Sequence, residues 1–210
     1  MNVFRVIRPP DIFTLLNLVF GFLAILFAGR AATAGSSFQY ALVFILLAAM
    51  ADGLDGLVAR KMGGSPLGAN LDSLADLVSF GLAPPFLAIS AFHLQPSIWP
   101  IAMLFLLCGA LRLARFNVVS EKGDQHFEGL PIPAAGIALS ASVLLDMPML
   151  TILLMLFLAL LMTSSIPYPK IRDLRLMIIF SSVYILVAAV VLWRHEMADV
   201  LYAALLLAAL

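Results

Sequence analysis

Long apolar runs separated by short polar turns organise the chain, and each run reads as a membrane-crossing helix. The pattern predicts helices over about 11–28, 38–62, 68–92, 98–118, 134–145, 149–162, 176–193 and 198–210. A helix perpendicular to a bilayer needs ~20 apolar residues. Several of the later runs are shorter, so the expectation is eight spans, falling to six or seven if a short pair is re-entrant or interfacial. The first ten residues place Val3, Phe4, Val6 and Ile7 beside Arg5 and Arg8 and close on Pro9-Pro10. That pattern predicts a short interfacial helix on the membrane surface. The apolar run that follows exceeds the 7–15 residues of a signal-peptide core and is read as a retained first span.

Composition agrees with that reading. The 210 residues are 63% hydrophobic and 11% charged, against about 45–50% and about 25% in soluble domains. The expected fold is an all-α integral membrane protein, a bundle of about eight helices forming one domain over residues 1–210. Net charge is zero, and no nucleic-acid partner is expected. The single Cys108 lies in an apolar run and reads as a small buried hydrophobe.

Charge supplies the topology. With eight spans and the N-terminus inside, Arg5, Arg8, Arg60, Lys61, Arg112, Arg115, Lys122, Lys170, Arg172 and Arg175 fall on the cytoplasmic side. Only Arg30 and Arg194 fall opposite. This bias follows the positive-inside rule, so both termini and the turn carrying Arg60 and Lys61 are expected in the cytoplasm. Trp99, Trp193 and Tyr202 fit interfacial belt positions. His93 and His195 fall on the outer side, and His126 in a polar loop.

Against this apolar background the stretch 51–85 carries Asp52, Asp55, Asp72 and Asp76. A carboxylate at the centre of a membrane helix costs about 2.5–3.5 kcal/mol on insertion scales, so four imply a penalty on the order of 10 kcal/mol. Asp52 and Asp55 are three apart and Asp72 and Asp76 four apart, so on helices each pair shares one face. Two antiparallel helices joined by the Gly/Ser/Pro-containing turn can bring both pairs to one point. Carboxylate oxygens there suit Mg²⁺ or Mn²⁺ and, less well, Ca²⁺. Gly53, Gly56, Ala59, Gly63, Gly64 and Gly68 leave room for a bulky ligand, and Arg60 offers a cation for phosphate oxygens. Together these features point to phosphoryl chemistry, in which two metal ions can stabilise both sides of a displacement. The rival function is a divalent-cation transporter, because intramembrane acids also mark ion routes. The acids cluster toward one side and no inverted repeat is visible.

The pattern Asp52-x2-Asp55-Gly56-x2-Ala59-Arg60 followed by Gly68-x3-Asp72-x3-Asp76 resembles the signature of the CDP-alcohol phosphotransferases. Arg60 and Gly68 stand one residue closer than in the commonly written motif, a shortening that falls in the turn. LDSLADLVSFGLAPP (71–85), LRLARFNV (111–118), FEGLPIPAAG (127–136) and FTLLNLVFG (13–21) are similar to the membrane-type phosphatidylserine synthase branch. The resemblance implies a membrane enzyme that transfers a phosphatidyl-type group from CDP-diacylglycerol or CDP-archaeol to the L-serine hydroxyl, releasing CMP. It implies two metal ions held by Asp52, Asp55, Asp72 and Asp76, with Asp76 also the general base. Asp52, Gly56, Ala59, Arg60, Gly68 and Asp72 would line the CDP pocket, and the enzyme would be a homodimer in the cell membrane. Sister enzymes use glycerol phosphate or inositol phosphate instead.

The acceptor pocket lies outside the motif. Arg112, Arg115 and Asn117 sit at the cytoplasmic end of the fourth predicted span, with both arginines on one helical face. They are candidates for the serine carboxylate, assisted by Asn117 or Glu128. The alternative is that the arginines anchor the helix or bind lipid headgroups. Phe80 and Gly81 read as helix packing beside the site.

Overall fold

A computed structural model of the chain describes residues 6–34, 38–121, 127–165 and 167–168. Helix α1 (Pro9–Ala34) opens on two prolines, which the first turn tolerates because its N–H groups have no helical acceptor. The Arg8 N–H donates to Asp11 Oδ2 at 2.8 Å, so a carboxylate in the first turn reaches back to the residue before the helix, as in a capping box. Helix α2 (Gln39–Met62) returns antiparallel along α1. Phe27 meets Tyr40 at 5.9 Å and Phe44 at 5.0 Å, and Phe20 meets Phe44 at 6.3 Å between ring centroids. It ends where Gly63, at φ +81°, donates its N–H to the Ala59 carbonyl. That left-handed angle suits glycine.

The third span is one continuous helix with a widened middle: α3 (Gly68–Asp76), a π-helical segment (Leu77–Leu82) and α4 (Ala83–Ala91). Pro84 and Pro85 cannot donate to the carbonyls of Phe80 and Gly81, and a proline ring crowds the carbonyl four residues back. The chain accommodates them by widening, so that the Ala83 N–H donates to Val78 O, five residues earlier. The π segment starts immediately after Asp76. Two glycines let neighbouring helices close on it. A Cβ on Gly21 of α1 would lie 2.7 Å from Ser79 Cα, and one on Gly136 would lie 2.8 Å from Phe80 O. Ser79 Oγ donates to Asn17 O at 2.9 Å across the first contact. Phe80 and Gly81 are buried in this packing.

A single turn of 3₁₀ helix (Pro96–Ile98) leads into α5 (Trp99–Glu121), which runs along α7 (Pro148–Thr163). Between them in sequence, α6 (Ile132–Val143) packs against the π segment, α4 and α7, and every residue from Ala135 to Val143 is buried. A two-residue antiparallel pairing of β1 (Phe127–Glu128) with β2 (Pro167–Tyr168) ties the chain before α6 to the chain after α7. Large apolar side chains such as Phe22, Leu26, Met103, Leu107, Leu153 and Phe157 are exposed on the outer helices. These are the surfaces that a bilayer covers.

Among the described residues four helices are long and apolar enough to cross a membrane: Pro9–Thr33, Gln39–Met62, Gly68–Ala91 and Pro96–Val119. They match the first four predicted spans to within a few residues. The fifth and sixth predicted spans correspond to α6 and α7, of 12 and 16 residues. At 1.5 Å per residue, α6 is about 18 Å long, well short of the ~30 Å hydrocarbon core. The expected count of eight crossing helices is therefore not confirmed. Hydropathy read α6 as a span because a helix apolar on every face can be buried in protein as well as in lipid. The spans expected over 176–193 and 198–210, and most of the interfacial helix expected over 1–10, lie outside the described residues.

The Gly136 contact yields a direct check. Gly136→Val drives a side chain into the Phe80 backbone and should destabilise the fold by roughly 1–3 kcal/mol, read as a lower thermal midpoint in detergent. Gly53→Ala, whose added Cβ meets nothing within 4 Å, should melt as the native protein does.

Candidate active and metal site

The two motif helices bring three of the four expected carboxylates together. Asp52 on α2 and Asp72 and Asp76 on α3 present one carboxylate oxygen each, all within 4.8 Å of one another. Two such charges repel by on the order of 3 kcal/mol at an effective dielectric near 20, so the arrangement calls for a compensating cation. Ligands on opposite sides of Mg²⁺ stand about 4.2 Å apart, and those around Ca²⁺ about 5 Å. The spread of these three oxygens therefore fits one hard divalent ion. Among the described residues Asp72 Oδ1 is buried without a hydrogen-bond partner, as befits an oxygen held for a ligand. Asp55, the fourth, stands one turn further along α2, buried, and accepts a hydrogen bond from Thr14 Oγ1 at 2.7 Å.

Helix α1 supports the cluster. Asp11, Thr14 and Asn17, three residues apart and all buried, form a polar stripe on its inner face. Thr14 holds Asp55, and Asn17 Nδ2 donates to Asp76 Oδ1 at 3.0 Å. Asp11 accepts from Ser65 Oγ at 2.9 Å, and Arg8 Nη1 donates to Gly64 O at 2.8 Å. These last two bonds fasten the shortened 63–67 turn to the start of α1. Sequence reasoning gave Thr14 and Asn17 no role. The signal was present as polar residues at helical spacing in an otherwise apolar first span.

The small motif residues leave one side of α2 open. A Cβ on Gly53 or Gly56 would meet nothing within 4 Å. Ala59 lies one turn beyond, and Arg60 is exposed at the end of α2. Gly68 sits in the first turn of α3, where a Cβ would make ordinary contacts with Ser65 and Asp11. Open space beside the carboxylates, bordered by an arginine, suits a phosphorylated ligand.

The three acceptor-pocket candidates separate by environment. Arg112 lies within electrostatic range of Asp76, Asp52 and Asp72, and its guanidinium stands 5.4 Å from the centre of the Phe116 ring. Arg115 Nη2 donates to the carbonyls of Glu128 at 2.7 Å, Ser164 at 3.1 Å and Met162 at 3.4 Å. Its Nη1 also stands 3.6 Å from Glu128 Oε2. Asn117 Nδ2 donates to Ser73 Oγ at 3.0 Å, on the side of a cleft between α3 and α5 that Asn70, Ser73 and Leu113 help line. Cys108 is buried and free, and His93 is exposed in the turn after α4. His126 and His195 lie outside the described residues.

Comparison with known proteins gives a consistent result. A family model described as CDP-alcohol phosphatidyltransferase matches residues 8–193. A protein of Methanocaldococcus jannaschii named CDP-diacylglycerol–serine O-phosphatidyltransferase is 41% identical over 171 residues, covering 80% of this chain and 77% of that one. An archaetidylserine synthase of Methanothermobacter thermautotrophicus is 38% identical over 174 residues, covering 79% and 71%. A CDP-diacylglycerol–serine O-phosphatidyltransferase of Helicobacter pylori is 35% identical over 183 residues, covering 79% and 73%.

The environment of Arg115 has a measurable consequence. A lysine cannot reproduce a guanidinium fork that donates to several carbonyls. Arg115→Lys should therefore lower the thermal midpoint, with a loss of roughly 1–3 kcal/mol for carbonyls left unsatisfied. A midpoint equal to the native one would show that the tie between α5 and α7 is dispensable.

Proposed function

The chain belongs to the CDP-alcohol phosphatidyltransferase family, and on that premise we propose that it is a CDP-lipid–serine O-phosphatidyltransferase. It takes a phosphatidyl-type group from CDP-diacylglycerol or its archaeol counterpart, transfers it to the L-serine hydroxyl and releases CMP. The observation that carries this reading is the meeting of Asp52, Asp72 and Asp76 on one point. It occurs in a chain whose relatives, covering about four-fifths of it, are named for serine transfer.

Asp52, Asp72 and Asp76 would hold the first divalent ion, Mg²⁺ or Mn²⁺, and Asp55 would help hold a second. Bound there, the metal would offset the charge of the CDP pyrophosphate and of the departing CMP. The chain's own groups do the rest. The faces of Gly53 and Gly56 admit the cytidine side of the donor, with Ala59 and Gly68 nearby and Arg60 available to its phosphates. The serine hydroxyl oxygen bonds to the lipid-side phosphorus, and the bond from that phosphorus to the bridging oxygen breaks, so CMP leaves with the oxygen. The hydroxyl proton passes to Asp76. Asn17 occupies Asp76 Oδ1, which leaves Oδ2 as the oxygen available to take it. The transfer is a single displacement, and no covalent enzyme intermediate is required.

Arg112 is the favoured partner for the serine carboxylate, since it faces the aspartates while the donors of Arg115 are engaged with backbone carbonyls. Asn117, through Ser73, would shape the same cleft. The site and both termini would face the cytoplasm, where CDP-lipid and serine meet, and the enzyme would work as a homodimer.

Purified protein supplied with Mg²⁺ or Mn²⁺, CDP-lipid and labelled serine should release CMP only when serine is present. Release with inositol phosphate or glycerol phosphate instead would reassign the acceptor, and no CMP with any alcohol would remove the activity. In the same assay Asp76→Asn should abolish turnover while CDP-lipid still binds. Arg112→Ala should raise the serine KM by roughly tenfold or more, the value of one lost charge-assisted contact, with the CDP-lipid KM nearly unchanged.

A further inference from the structure

Asn17 is fully buried on the inner face of α1, with 0% exposure. Its two amide atoms are treated differently. Nδ2 donates to Asp76 Oδ1 at 3.0 Å. Among the described residues Oδ1 has no hydrogen-bond partner. The orientation follows from chemistry, since the reversed amide would turn an acceptor oxygen toward a carboxylate oxygen. A buried acceptor left unmatched costs roughly 1–3 kcal/mol, so an asparagine kept only for packing would be replaced at no loss by a hydrophobic residue of similar shape. The backbone around it is seated by close packing, because Gly21, one turn on, lies against the Cα and Cβ of Ser79, a contact that does not need the Ser79 hydroxyl. The amide is thus placed beside the π segment that begins directly after Asp76.

We propose that Asn17 is a positioning residue for Asp76. It occupies Oδ1 and so turns Oδ2 toward Asp52 and Asp72, where a divalent cation would sit and where the acceptor hydroxyl would give up its proton. A carboxylate on a single methylene still has a soft terminal rotation, and one N–H bond to one oxygen removes that freedom. This is the way outer partners orient metal-binding carboxylates, and losing one usually costs 10–100-fold in metal affinity or activity. The inference rests on the metal-site reading above and adds to it a residue from α1, outside the α2–α3 motif.

The test is Mn²⁺ binding to the full-length protein in detergent, read from the EPR signal of free Mn²⁺, together with steady-state turnover. Asn17→Ala should weaken Mn²⁺ binding by about 10- to 100-fold and lower kcat while the CDP-lipid KM stays within roughly twofold. Ser79→Ala breaks the neighbouring α1 bond without touching Asp76 and should bind Mn²⁺ as the native protein does. Native Mn²⁺ affinity and kcat in Asn17→Ala would overturn the proposal. An equal loss in Ser79→Ala would also overturn it, by assigning the effect to helix packing. Should Asn17→Ala fail to fold, Asn17→Leu keeps the approximate shape and removes the donor, and native kcat in that variant overturns the proposal equally. Asp72→Asn separates the two layers. Loss of Mn²⁺ there, with none in Asn17→Ala, overturns the role of Asn17 alone, whereas native affinity in Asp72→Asn overturns the metal site and the inference together.

Discussion

The rest of the structure depends on the cost of placing acidic side chains between apolar helices. Carboxylate oxygens of Asp52, Asp72 and Asp76 within 4.8 Å of one another repel, and burial removes the water that would screen them. Such a cluster persists only if the fold around it is stiff and a cation is available. Both conditions shape what surrounds it. Helix α1 sends Thr14 and Asn17 to the acids, Asp11 and Arg8 fasten the glycine turn, and close helix contacts at Gly21 and Gly136 seat the π segment behind Asp76.

The π segment links fold to function. Pro84 and Pro85 disturb the regular ladder, and the widening they produce falls on residues 77–82, next to the proposed base. Widened turns of this kind are frequent at functional sites. Here the segment is gripped from both sides, by α1 through Ser79 and by the buried α6 through Phe80. The short α6 is buried against it, and its alanine-rich composition suits the tight space it fills.

Much of this was legible in the sequence, and the gaps have physical causes. The four long helices could be read because their apolar runs exceed bilayer thickness and end at glycine, proline or charge. The convergence of Asp52 with Asp72 and Asp76 could be read because helical spacing alone puts each pair on one face. The burial of α6 could not, because hydropathy does not distinguish burial in protein from burial in lipid. The positions of Thr14 and Asn17 were visible, but their partners lie 41 and 59 residues away, and such pairings arise only when helices pack. The three carbonyls that engage Arg115 come partly from the end of α7, so spacing on α5 made Arg112 and Arg115 look equivalent when their surroundings differ.

The central claim is that α2 and α3 together make one cation site at which the CDP-lipid is cleaved. An anomalous-difference map from crystals grown with Mn²⁺ and CDP-lipid tests it most directly. The account predicts a peak coordinated by Asp52, Asp72 and Asp76, with the donor pyrophosphate beside it on the open face of Gly53 and Gly56. Donor bound with no metal between those three aspartates, or with its pyrophosphate remote from them, would contradict it.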